Sequence, residues 1–238
     1  MVFVREMQGQ TLAFGVSGKL IMNAVVMYDH QTDSLWSQFL AIAVDGSFTG
    51  AEMELLFSQL TNWGAWLDQH PDTKLLDRTI GHGAGRDPYM SYYNSTSAGV
   101  LGEAVRDSGL PRKELVIGLD HGQQRTAYAF SDFEDARVVN DVYDHAPVVV
   151  THDPLGDAVA AFSRTVDSRT LTFEILDRVT MRDIETGSTG SSIRGAALPG
   201  ELAGAQLEHL PLFVVFWFSW TDFYPGTDLY DPNASPPS

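Results

Sequence analysis

A single offset relates the two halves of this 238-residue chain: Asp183 lies 154 positions after Asp29, and other residues repeat at the same spacing. The matches include Thr32 with Thr186, Ser34 with Ser188, Gly46 with Gly200, Trp63 with Trp217, Trp66 with Trp220 and Pro71 with Pro225. Self-similarity at a fixed spacing indicates a repeated structural unit. The sequence therefore predicts an internally duplicated fold in which the two units are related by a pseudo-twofold axis.

The two predicted units differ in length. We assign residues 1–76 to a first, incomplete unit, 77–112 to a Gly/Ser/Tyr-rich connector, 113–230 to a second, complete unit and 231–238 to a disordered tail. Residues 113–161 have no counterpart in the first unit. We therefore expect the first unit to expose a sheet edge or apolar face, covered either by a second copy in a homo-oligomer or by upstream sequence.

The local patterns predict an α+β, β-rich fold built from antiparallel sheets and two short Trp-bearing helices. Apolar alternation before and after the turn at 29–33 predicts a hairpin, with a left-handed residue at Asp33 and at its counterpart Gly187. Helices are predicted over 63–70 and 217–224, each stopped by a proline. We expect the two pairs of Trp side chains to have similar surroundings.

The charge balance of the chain restricts its partners. Asp and Glu number 31 against 15 Lys and Arg, which gives a net charge of −16. Without a basic stripe, binding to a nucleic-acid backbone is not expected. Acidic residues spread along the whole chain are typical of proteins from salt-loving organisms, because concentrated salt screens their mutual repulsion.

The absence of certain sequence features narrows the classes further. There is no Cys, which excludes disulfides and thiolate metal sites. No apolar run is long enough to span a membrane, and the N-terminus is unlike a signal peptide. We expect a cytoplasmic protein as written, or an extracytoplasmic one if the true start lies upstream.

Several ordered motifs resemble the domain of unknown function 3179 family. They include the stretches 14–20, 26–38, 70–73, 139–141, 216–220 and 224–227. The resemblance covers nearly the whole chain and implies no established activity. Full-length relatives often carry a Tyr-Cys-Pro-Leu-Cys motif; here Asp153 and Gly156 stand where its two Cys would be, so this copy has no thiol chemistry.

Two groups of residues are candidates for ligand binding. Asp29, Thr32, Ser34 and Trp36 form a polar turn, but the alternative is a hairpin whose side chains bond its own backbone, and recurrence in both units favours that alternative. His82 and Arg86 lie in or beside the Gly-rich segment 81–85, which has no Lys-Ser/Thr after it and so is no phosphate loop.

A third group could bind a divalent metal. His145, His152 and Asp153 are close in sequence, and His121 joins them if its predicted hairpin packs alongside. The alternative is a set of solvated turn residues. The leading prediction is a non-catalytic binding or structural module; the alternative is a metal-assisted enzyme, such as a hydrolase, using these four residues.

Overall fold

The structure is a computed structural model that describes residues 1–75, 87, 89–121, 124–133, 138–197 and 200–234. The first strands in chain order are β1 (Val2–Phe3), β2 (Glu6–Met7), β3 (Gln10–Thr11), β4 (Phe14–Ile21), β5 (Ala24–Asp29), β6 (Leu35–Ser37), β7 (Ile42–Asp45) and β8 (Leu55–Leu56). Helices α1 (Trp63–Gln69) and α2 (Met90–Tyr93) follow.

The remaining strands form the larger part of the molecule. They are β9 (Leu115–His121), β10 (Gln124–Ala129), β11 (Val138–Tyr143), β12 (Ala146–Asp153), β13 (Ala158–Ser163), β14 (Thr165–Val166), β15 (Arg169–Thr170), β16 (Phe173–Ile175), β17 (Thr180–Asp183), β18 (Thr189–Ser191), β19 (Phe213–Phe216) and β20 (Asp228–Leu229). A 3-10 helix at Phe130–Phe133 follows β10, and α3 (Trp217–Phe223) follows β19. The prediction of a β-rich fold with a few short helices is confirmed.

Nearly all strand pairs are antiparallel, as predicted, and the exception is the short parallel pair of β10 with β20. In the first part of the chain, β4, β5, β6 and β7 form a sheet in that order, beside the small pairs β2–β3 and β1–β8. In the second part the sheets are β19-β9-β10-β20, β11-β12-β13 and β16-β17-β18, with the small pair β14–β15.

The second part is built in layers because successive strand residues point to opposite faces of a sheet. One face of the β19-β9-β10-β20 sheet packs on β11-β12-β13 through Ile117, Leu119 and Tyr128. Its other face, through Val116 and Ala127, packs on α3. The far face of β11-β12-β13 contributes to a further apolar cluster that reaches β16 and β17.

The two Trp-bearing helices are anchored in the same way at their C-terminal ends. Trp66 Nε1 donates to Thr73 Oγ1 over 2.9 Å, and Trp220 Nε1 donates to Thr227 Oγ1 over 2.9 Å. The chain leaves each helix through a turn that this bond closes.

The expectation of similar surroundings is wrong for the first Trp of each helix. Trp63 is 45% exposed, whereas Trp217 is only 2% exposed. The reason lies in the sheet that covers α3, which includes β9 and β10. These strands come from residues that have no counterpart in the first unit, so α1 has no equivalent sheet against its Trp63 side.

The described part of the predicted connector contains regular structure and contacts the second unit. It contains α2, and the backbone N–H groups of Ala104 and Val105 both donate to the buried Asp222 carboxylate of α3, over 2.7 and 2.8 Å. Within the described part of the chain, no helix is both long and apolar enough to cross a membrane.

Candidate functional site

The predicted polar turn at Asp29 is a closed hydrogen-bond network. Asp29 and Ser34 are fully buried. The Asp29 carboxylate accepts bonds from the Thr32 backbone N–H (2.6 Å), the Thr32 hydroxyl (2.9 Å) and Trp36 Nε1 (2.9 Å). Burial raises the pKa of Asp29, but the hydrogen bonds from Trp36 and Thr32 outweigh it and hold that pKa below its ordinary value.

The turn at Asp183 repeats this network without the Trp. Asp183 accepts from the Thr186 backbone N–H (2.6 Å) and hydroxyl (2.8 Å). Thr186 in turn donates to Ser188 over 2.8 Å. The position matching Trp36 is Gly190, where an added Cβ would lie 2.9 Å from the backbone oxygen of Ala196.

Both turns also have the predicted left-handed residue, with φ of 57° at Asp33 and 71° at Gly187. In each turn the carboxylate is taken up by the turn's own donors. The geometry therefore supports a structural role for Asp29, Thr32, Ser34 and Trp36, because the carboxylate and hydroxyls already bond to one another inside the protein.

His152 and Asp153 lie at the end of β12 but face opposite ways. The His152 ring contacts Phe130 and Phe133, with ring centroids 4.7 and 5.8 Å apart. The Asp153 carboxylate instead accepts from Arg178 Nε, at 3.0 Å to each oxygen. Burial raises the pKa of Asp153, but the bond from Arg178 and two backbone N–H groups lower it below its usual value.

Three of the four predicted metal ligands, His145, His152 and Asp153, lie apart in the structure. His145 lies in the turn between β11 and β12, at the opposite end of β12 from Asp153. At about 3.3 Å per strand residue, the Cα atoms of His145 and His152 are roughly 23 Å apart. Among the described residues there is no group of three or more His, Asp or Glu side chains placed to hold a metal ion.

The remaining predicted site residues are His121, His82 and Arg86. His121 ends β9, where it pairs with Gln124 across a hairpin, as predicted from the sequence. His82 and Arg86 lie outside the described residues. Among the sequence-predicted site residues, the structure therefore shows polar contacts in the two turns and in the Asp153–Arg178 ion pair.

The turn that follows Asp153 also holds the N-terminal end of α1. Asn62, the N-cap of α1, donates through its backbone N–H to Gly156 O (2.9 Å) and through Nδ2 to Leu155 O (2.6 Å). At the other end of the helix, His70 Nε2 lies 3.1 Å from Arg194 Nη2. These contacts join the first predicted unit to the second.

A different feature of the structure is open to a partner: the outer edge of β19. Among the described strands, β19 pairs only with β9, with Phe213 opposite Gly118 and Phe216 opposite Leu115. Trp217 N donates to Glu114 O over 2.8 Å. Because hydrogen-bonded and non-hydrogen-bonded residue pairs alternate along an antiparallel ladder, this bond establishes which residues of β19 turn their backbone groups toward β9. The N–H and C=O groups of Val214 and the N–H group of Phe216 therefore point away from β9, while the C=O group of Phe216 serves α3 as that of its N-cap residue.

Two grooves follow this edge and meet at Val214 and Val215. The first, of about 510 Å³, runs along the C-terminal half of β19, and its walls include Tyr89, Tyr92 and Val100. The second, of about 290 Å³, runs along the N-terminal half between Leu212–Val215 and the segments Met1–Val2 and Ser58–Leu60. Val100 is 87% exposed and Leu60 is 58% exposed, so both walls present apolar side chains to solvent.

The lining of both grooves has no Asp, Glu, Lys or Arg side chain. This contrasts with the whole chain, in which 19% of residues carry a charge and the net charge is −16. An exposed, largely apolar strip without charged side chains on a strongly acidic protein is typical of an interaction surface.

Comparison with known proteins then fixes the family. A family model described as "Protein of unknown function (DUF3179)" matches residues 1–227. The chain belongs to the DUF3179 family. No curated protein and no solved structure matches it.

Sequence reasoning on this DUF3179 chain missed the edge site. The apolar stretch from Leu212 to Trp220 predicts a buried element, and Trp217, Phe218 and Trp220 are buried. The four residues of β19 lie inside this stretch, directly before the first turn of α3. Which side of that strand stays unpaired is decided by sheet order, which the sequence does not encode locally.

Proposed function

We propose that this DUF3179 protein is a non-catalytic binding module that accepts an extended polypeptide segment along the outer edge of β19. The observation that carries the proposal is the row of outward-facing backbone groups at Val214 and Phe216, which lies between two uncharged grooves. An exposed strand edge offers main-chain hydrogen bonds for affinity, and flanking pockets select the alternate side chains.

The internal use of the polar motifs supports the same proposal. The carboxylates of Asp29, Asp183 and Asp153 are each bonded by donors of the protein itself. Exposed backbone groups on β19 and the apolar groove walls are by contrast available to a partner.

Binding of a labelled strand-forming peptide tests this function. We choose alternating valine and threonine, without charged residues, because the grooves have none, and we expect saturable binding by fluorescence anisotropy. Val214→Pro should abolish the binding, since proline removes the outward N–H but no hydrogen bond to β9.

The control peptide has the same composition plus two prolines at alternate positions, which prevent strand pairing. Equal binding of the two peptides, or unchanged binding to the Val214→Pro protein, would show that the edge is not the site.

We also propose that the chain carries two copies of one structural unit. Support comes from hydrogen bonds that recur at matched positions. The bond from Leu12 N to Arg5 O matches that from Leu171 N to Arg164 O. The bond from Ala51 N to Phe48 O likewise matches that from Ala205 N to Leu202 O. The acidic character, which we attribute to a salt-rich setting, belongs to both units.

A further inference from the structure

We infer that the strand which occupies the β19 edge is β19 of a second copy of this chain, in an antiparallel pair across a twofold axis. This inference rests on the proposed function, and it names the partner. A twofold interface uses the same surface on both molecules, so the surface has to be complementary to itself.

The sequence of β19 meets that requirement. All four of its residues, Phe-Val-Val-Phe, are apolar. An antiparallel partner of the same sequence therefore places apolar side chains opposite apolar side chains. Because the outward amides belong to Leu212, Val214 and Phe216, pairing Val214 with its own copy also pairs Leu212 with Phe216 of the second copy.

The distribution of charge allows a second copy to approach at this strip and does not favour a basic partner there. A basic partner would be drawn to the acidic surface, yet the groove lining has no acidic side chain to receive it. Two copies, each with a net charge of −16, repel one another over most of their surfaces. The uncharged strip is where two such molecules can approach without bringing carboxylates together.

Natural proteins rarely leave an apolar edge strand uncovered. The segment 212–218 combines β-branched and aromatic residues with no charge, no Gly and no Pro, which is the composition that promotes edge-to-edge pairing. A closed dimer satisfies that edge and ends the association, because each molecule has only one β19.

Cross-linking tests the inference directly because the chain has no Cys. We would introduce single cysteines as Val214→Cys and Val215→Cys and oxidise the full-length protein in about 1 M NaCl, which screens the repulsion. Directly opposed residues of an antiparallel pair have Cα atoms about 4.5–5.5 Å apart, within the range that a disulfide spans. We expect one of the two variants to form a covalent dimer, and which one does so reports the register.

Val142→Cys is the matched control. Val142 also lies on the edge strand of a sheet, β11, but that sheet is not the one that contains β19, and its side chain is 37% exposed and so accessible to the oxidant. We expect no cross-link from it. Cross-linking of neither β19 variant, or of all three variants equally, would overturn the inference.

Molar mass from light scattering provides a second measurement. Wild type and Val142→Pro should both be dimers, because the Val142 N–H donates only to the Asp141 carboxylate. Val214→Pro should be a monomer with an unchanged circular dichroism spectrum. If Val214→Pro fails to fold, an excess of the valine–threonine peptide should still convert wild type to monomer.

The two proposals fail in different ways. A wild-type monomer that binds the valine–threonine peptide would overturn only the second-copy inference. A wild-type monomer that binds no peptide would overturn the proposed function as well.

Discussion

At the scale of single residues, the buried Trp36–Asp29 bond should stabilise the fold more than the equivalent bond of another Trp. Trp36→Phe removes a donor from a buried carboxylate, and we expect a loss of about 1.5–3 kcal/mol in the free energy of unfolding. Trp66→Phe removes a donor from the neutral Thr73 hydroxyl, with an expected loss of about 0.5–1.5 kcal/mol. Urea denaturation of both variants measures the difference, and equal losses would contradict the role of charge.

The carboxylates of Asp29 and Asp153 should also shape the response to acid. Their pKa values in the folded protein lie below the ordinary value, so the unfolded chain binds protons more readily. Their stabilising contribution is therefore present above the unfolded-state pKa of about 3.9 and is lost as the pH falls through the lower folded value.

Asp153→Asn should make the unfolding free energy less dependent on pH over that acidic range, because one of the two groups no longer titrates. Denaturant titrations of wild type and variant from neutral to acidic pH check this expectation. Curves that stay parallel would show that the Arg178 pair contributes nothing to acid sensitivity.

At the scale of secondary-structure elements, α1 and α3 share a sequence pattern but should differ in energetic importance. Trp217→Ala removes a side chain of α3 that is 2% exposed and packs against the β19-β9-β10-β20 sheet, so we expect a loss of about 3–5 kcal/mol. Trp63→Ala removes a side chain that is 45% exposed, and we expect a loss of less than about 1 kcal/mol. Thermal and urea unfolding of the pair measures this asymmetry; similar losses would mean that Trp63 is covered in solution.

At the scale of the whole molecule, the net charge of −16 should make stability depend on salt. The screening length falls from about 10 Å at 0.1 M to about 3 Å at 1 M, so repulsion among carboxylates weakens. We expect the unfolding temperature to rise as sodium chloride is increased to molar concentration, measured by calorimetry. Chloride is preferred to sulfate, which stabilises proteins generally through exclusion. Equal unfolding temperatures in dilute and molar salt would contradict an adaptation to salt.

Local chemistry is what the sequence determined by itself. The turns at Asp29 and Asp183, their left-handed fifth residue and the Trp helices stopped by proline all follow from residues within a few positions of one another. The β-rich class follows from alternation along short segments, since the period of side chains along a strand is fixed by its backbone. These features need no knowledge of distant contacts.

Tertiary structure decided the remaining features because they depend on contacts between distant segments. The predicted metal ligands are separated in space because His152 and Asp153, adjacent in sequence, face opposite sides of β12, and His145 lies at its other end. The unequal burial of Trp63 and Trp217 depends on a sheet contributed by other residues. The free edge of β19 exists because sheet order places β9 on one side of it, and only assembly of the sheet determines which backbone groups stay available to a partner.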